Sequence, residues 1–105
     1  MTEKLKVNVL GTEYEIIQTD EKSEECDGYI HFENKKIFVM DLSHHEENAS
    51  SAKGRVIRHE LVHAFLYESG LDANSEWAQN EEVVDWIALQ FPKMVKVFEE
   101  LEVTR

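Results

Sequence analysis

The sequence predicts an α+β domain in which a short antiparallel sheet of about four strands precedes two helices. Three features predict it. The first 42 residues alternate apolar and polar side chains between turn-forming residues, residues 50–69 carry apolar side chains at helical spacing, and Asn80 opens a second helical pattern that meets the only proline, Pro92. With 105 residues, 42% of them hydrophobic, the chain suits one domain with one modest core spanning 1–105.

The strands come first. Lys4 to Leu10 and Tyr14 to Thr19 alternate around Gly11-Thr12, a hairpin pattern that puts Leu5, Val7, Val9 and Ile16 on the packed side. Asp20 to Asp27 is an acidic loop. Gly28 to Glu33 and Lys36 to Leu42 form a second pair around Asn34-Lys35, rich in the Tyr, Ile, Phe and Val that strands favour, with His31 facing solvent. Because Lys36 to Leu42 directly precedes the first helix, it is expected to be the free edge of the sheet.

The helices follow. Ser43 to Ser51 is polar, its His44-His45-Glu46-Glu47 reading as a solvated loop, and Asn48, Ser50 or Ser51 can cap a helix that runs to about Ser69 and stops at Gly70. Leu71 to Gln79 connects. Asn80 can cap a second helix from Glu81 to about Gln90, which Phe91-Pro92 should kink or break before Lys93 to Glu102. Trp77, Trp86 and Phe91 are expected to build core against the first helix.

Charge and cysteine content narrow the setting. A net charge of −11 argues against nucleic acid or anionic membranes as partners and favours basic or polar ones. The single cysteine, Cys26, cannot form an internal disulfide, which fits a reducing, cytoplasmic environment. No signal peptide is visible at the start, and no apolar run approaches the ~20 residues of a membrane helix.

His59-Glu60-Leu61-Val62-His63 spells HExxH. On a helix, residues four apart sit one above the other, so both imidazoles can hold one metal ion, zinc being the usual one. Glu60 stands about 100° round the helix from His59. There its carboxylate can act as general base toward a zinc-bound water, whose pKa the metal lowers to about 7. Apolar residues surround the motif, with Ile57, Leu61, Ala64 and Phe65 on one side and Val56, Val62 and Leu66 nearer the histidines. Burying two histidines and a glutamate there is costly unless a shared partner satisfies them. Such a site needs a third protein ligand. Glu81 and Asp85 are four apart on the second helix, so Glu81 can bind zinc while Asp85 accepts a hydrogen bond from a ligand histidine; Glu82 competes with Glu81 for the role. Tyr67 shares the His63 face, either as core or as a group that stabilises an oxyanion.

This pattern resembles the ExxxD element of the thermolysin-like zincins, or gluzincins, in which a glutamate ligand on the next helix follows HExxH. From Arg55 to Phe91 the chain is similar to the small ImmA/IrrE metallopeptidases of phages and mobile elements, differing at Val62 and Val83, where that family commonly has glycine and alanine. SprT-like proteases carry a comparable helix. What the resemblance carries over is the zinc site: a minimal zincin hydrolysing peptide bonds in a peptide or protein substrate. A second reading, from a different class, is a zinc-stabilised interaction or regulatory protein that binds a basic partner without catalysis. The two separate on whether Glu60 is needed for function.

Overall fold

The computed structural model describes residues 3–21, 26–42 and 49–105. Strands β1 (Glu3–Val9), β2 (Thr12–Gln18), β3 (Gly28–His31) and β4 (Lys36–Val39) are followed by helix α1 (Ala49–Glu68), a single turn α2 (Leu71–Asn74), a 3-10 turn (Glu76–Gln79) and helix α3 (Glu81–Glu100). The α+β layout agrees with the sequence, as do its four strands.

The first hairpin turns at Leu10-Gly11, one residue before the expected Gly11-Thr12. Both residues are left-handed, with φ of 50° and 94°, the pair of positive values that a type I′ turn needs to match the twist of its strands. The Asn8 side chain accepts from the Gly11 N–H at 2.8 Å and fixes the corner. The register pairs Val9 with Thr12, Val7 with Tyr14 and Leu5 with Ile16, so these residues share one face. Val9, Tyr14 and Ile16 are buried there, but Leu5 is 56% exposed. The core against α1 takes in Val7 and Val9 and ends before Leu5.

The sheet is mixed rather than wholly antiparallel, in the order β1-β2-β4-β3. β4 pairs with β2 in parallel and with β3 antiparallel. It is therefore interior, and the expectation that Lys36 to Leu42 forms the free edge is overturned: β3 is the edge on that side. The burial explains the exchange. Ile37 and Val39 are 0% and 2% exposed and gain from a central position, whereas β3 carries Gly28 and a half-exposed Tyr29.

Helix α1 lies between two layers. One side packs on the sheet, where Ala64 joins Val9, Tyr14, Ile16, Ile37, Val39 and Leu42 with Val56, Ile57 and Leu61 alongside. The other side packs through Val62 and Leu66 on Ala78 of the 3-10 turn and Val84 of α3. Ser50 and Ser51 fall inside the helix rather than capping it, while Asn48 and the His44–Glu47 loop lie outside the described residues. Its C-terminus follows the sequence: Gly70 is left-handed at φ 86° and its N–H bonds the Tyr67 carbonyl. Glu68 locks this end to the sheet, accepting from the Thr12 hydroxyl (3.0 Å), the Tyr14 hydroxyl (2.6 Å) and Lys35 Nζ (2.8 Å).

Asn80 caps α3 as expected, its side chain accepting from the Val83 N–H. The helix then runs through Pro92 to Glu100 without a break. Proline removes the N–H that would bond the carbonyl four residues earlier, Ala88, and Arg58 Nε supplies the substitute at 2.7 Å from α1. The bulky aromatics are not core: Trp77, Trp86 and Phe91 are 47%, 58% and 52% exposed. Fully buried Ala78, Val84 and Ala88 make the contact instead, and small side chains let the helices approach. Trp86 lies about 200° round the helix from Val84, on the opposite face.

Candidate metal centre

The motif helix presents His59 and His63 with their rings 5.0 Å apart, and the ligating atoms of His59, Glu60 and His63 all lie within 4.8 Å of one another. The three are close enough to hold one metal ion. Helical spacing aligns the imidazoles, and the sheet beneath α1 buries Glu60 and His63 to 7% and 9% exposure. Gly28 of β3 permits this closeness. A Cβ there would lie 2.6 Å from Val56 Cγ1 and 2.8 Å from the Phe38 carbonyl oxygen, with Glu60 Cγ at 3.9 Å.

From across the cleft, Glu81 in the first turn of α3 reaches both histidines. One oxygen lies 3.0 Å from His59 Nε2 and the other 2.8 Å from His63 Nε2. Glu81, and not its neighbour Glu82, meets the pair. The Asn80 cap sets the phase of the helix, which places Glu81 on the side of α3 that carries Val84 and Asp85. Asp85 Oδ1 lies 3.4 Å from His59 Nδ1, and its Oδ2 accepts from Arg55 Nη2 at 2.6 Å. Arg55 was not singled out from the sequence, although its position four residues before His59, on the same helical face, was a signal for it. Gly28 gave no comparable signal, since its role depends on the sheet meeting the helix.

These contacts determine the chemistry. The Arg55 guanidinium beside Asp85 holds its carboxyl below the ordinary range, so it is an anion that can only accept. His59 Nδ1 must then carry the proton in that contact, and in a neutral ring Nε2 is left as a bare lone pair facing a Glu81 oxygen. Acceptor faces acceptor there, and the junction calls for a second proton or a cation. Burial pushes the His63 pKa down despite the nearby Glu81 carboxylate, which disfavours the proton at that ring. Burial also pushes Glu60 up to about 7, with His59 opposing and Glu81 reinforcing the shift. Two imidazoles and the Glu60 carboxylate grouped within 4.8 Å, with the Glu81 carboxylate beside them, offer nitrogen and oxygen donors to a metal ion. A cavity of about 410 Å³ opens onto the group, lined by Asp27, Gly28, Arg55, His59, Glu60, Glu81 and Asp85 among others. The Glu81 side chain is 70% exposed at its mouth.

Other candidates stand elsewhere. Tyr67 stacks on Phe32 (4.3 Å between centroids) and lies under Lys35 Nζ, engaged with the β3–β4 turn. His31 is exposed, contacts the Asn34 amide and faces solvent as expected. Cys26 is exposed. Among the described residues, no helix is long and apolar enough to cross a membrane. No family model matches the chain, and neither a curated protein nor a solved structure resembles it significantly.

Proposed function

We propose that the chain is a zinc-dependent metallopeptidase of minimal zincin type, the reading that its likeness to the ImmA/IrrE proteins suggested. The observation that carries it is the Glu81 carboxylate spanning the Nε2 atoms of both motif histidines. In this reading His59, His63 and Glu81 hold the ion. Zinc, when bound, supplies Lewis-acid polarisation of a peptide carbonyl and acidifies water at its open position.

The chain's own residues do the rest. Asp85, held by Arg55, fixes the His59 ring with its proton on Nδ1, leaving Nε2 free to donate its lone pair. Glu60 is the general acid and base. Its carboxylate stands in one cluster with the ligating atoms of His59 and His63, where it can take a proton from water and return it to the departing amine nitrogen. β3 positions the substrate: it is an edge strand, and its Gly28, Tyr29 and Ile30 line a second cavity with Glu60, His63 and Glu81. An extended peptide added to that edge brings its main chain across the site.

Glu60→Gln tests the assignment in zinc-loaded protein with a library of unstructured peptides. The variant is expected to retain zinc and fold while cleavage falls by at least a hundredfold. Unchanged cleavage removes Glu60 from the mechanism. A wild-type protein that binds zinc and cleaves nothing favours the non-catalytic interaction protein instead.

A further inference from the structure

The metal centre leaves unused an aromatic pair just beyond it. Tyr67 stands one helical turn past His63, and its ring stacks on Phe32 with centroids 4.3 Å apart and planes at 16°. Tyr67 is held in turn. Lys35 Nζ lies 4.8 Å from the Tyr67 ring centroid and is fixed by Glu68 at 2.8 Å, while the Lys35 N–H bonds the Phe32 carbonyl. Phe32 is thus anchored through both its ring and its main chain. It also lines the cavity of about 300 Å³ that lies between β3 and Glu60, His63 and Glu81. Those three polar side chains belong to the centre. What remains for a substrate side chain is Ile30, Phe32 and the main chain at Gly28. The Tyr29 ring stacks on Phe38, on the face of the sheet away from Ile30 and buried Ile37. Toward the start of α1 the cleft changes character, with Asp27, Arg55 and Asp85 in its wall.

Resting on the metallopeptidase reading, we propose that Phe32 is the specificity-determining residue of the centre. It selects peptides that carry an aromatic or large aliphatic side chain within about two residues of the bond cut. The spacing follows from how the elements lie. β3 and α1 run in the same sense, since Gly28 meets Val56 and Phe32 meets Tyr67. From His63 to Tyr67 the helix advances about 6 Å, a distance that an extended peptide on the β3 edge covers in about two residues. Chemistry sets the class of side chain. A ring already held in place loses little freedom when a substrate packs on it, and an aromatic partner adds stacked or edge-on contact to the area it buries. Alanine offers neither, and a charged side chain would lose water against Phe32 and Ile30 without finding a partner.

Two fluorescein-labelled peptide pools, built from Gly, Ser and Lys and differing only in Phe or Ala at one central position, test this. Binding is read by fluorescence anisotropy on zinc-loaded Glu60→Gln protein, which keeps the site without turnover, and cleavage by mass spectrometry on the zinc-loaded wild type. The Phe pool is expected to bind about tenfold tighter than the Ala pool and to be cut within about two residues of the Phe. Adding Phe32→Ala, with circular dichroism as the check on folding, is expected to shrink the preference to about twofold or less, and Phe32→Tyr to keep it. Equal binding of the two pools overturns the inference, as do cuts remote from the Phe or an undiminished preference in folded Phe32→Ala protein. Tight binding that depends on Phe32, with no cleavage by the wild type, overturns the peptidase reading and leaves the subsite standing.

Discussion

Arg58 donates from Nε to the carbonyl of Ala88 at 2.7 Å, joining the motif helix to the helix that carries Glu81. That carbonyl is the one Pro92 leaves without a helical donor. Replacing Arg58 by Met keeps the aliphatic stem and removes the donor, at an expected cost of about 1.5–3 kcal/mol measured by urea unfolding. In a Pro92→Ala background the helix can supply its own N–H, so the same substitution should cost markedly less. Equal costs in the two backgrounds would show that the bond does not compensate for the proline.

At Gly28, β3 packs against α1 with no room for a Cβ. Gly28→Ala puts a methyl 2.6 Å from Val56 Cγ1 and 2.8 Å from a backbone oxygen, and the backbone cannot swing aside as a flexible side chain could. The expected loss is about 1–3 kcal/mol of stability, with weaker zinc binding because Val56 and Glu60 ride on the displaced helix. A variant with wild-type stability and metal affinity would contradict this packing.

Asp85 Oδ1 faces His59 Nδ1 at 3.4 Å. Asp85→Asn or Arg55→Met should lower zinc affinity about 10–100-fold, measured by competition with a chelating dye, while leaving the fold in place. Unaltered affinity in both would mean that the Arg55–Asp85 pair plays no part in orienting the ring.

Glu68 governs acid stability at the other end of α1. Lys35, Tyr14 and Thr12 hold its pKa at about 2, below the ordinary 4.5, with the Lys35 hydrogen bond the largest influence. The folded carboxyl therefore binds its proton less readily than the unfolded one. Its contribution is fully present above about pH 4.5 and is lost as pH falls toward about 2. Thermal melts of wild type and Glu68→Gln should differ most near neutrality and converge through that window. A constant difference across it would assign the stabilisation to something other than the carboxylate's charge.

Much of this was legible in the sequence because the relevant signals are local. Alternation marked the strands, Gly70 and Asn80 marked helix ends, and HExxH with Glu81 and Asp85 needed only helical spacing. What failed depends on contacts between distant segments. Nothing in Gly28–Glu33 or Lys36–Leu42 says which strand pairs with β2, so the parallel β2–β4 pairing and the true edge were missed. The choice between Glu81 and Glu82 turned on one residue of helical phase. For Trp77, Trp86 and Phe91, apolar character states how much a side chain gains from burial but not which face of its helix is covered.

If His59, His63 and Glu81 hold one zinc ion, the zinc content of protein purified without a histidine tag distinguishes the wild type from His63→Ala and Glu81→Ala. About one zinc per chain is expected in the wild type, falling to near zero in His63→Ala and sharply reduced in Glu81→Ala, with all three folded. A wild type without zinc after exposure to stoichiometric metal, or full zinc retention in both variants, would contradict the account.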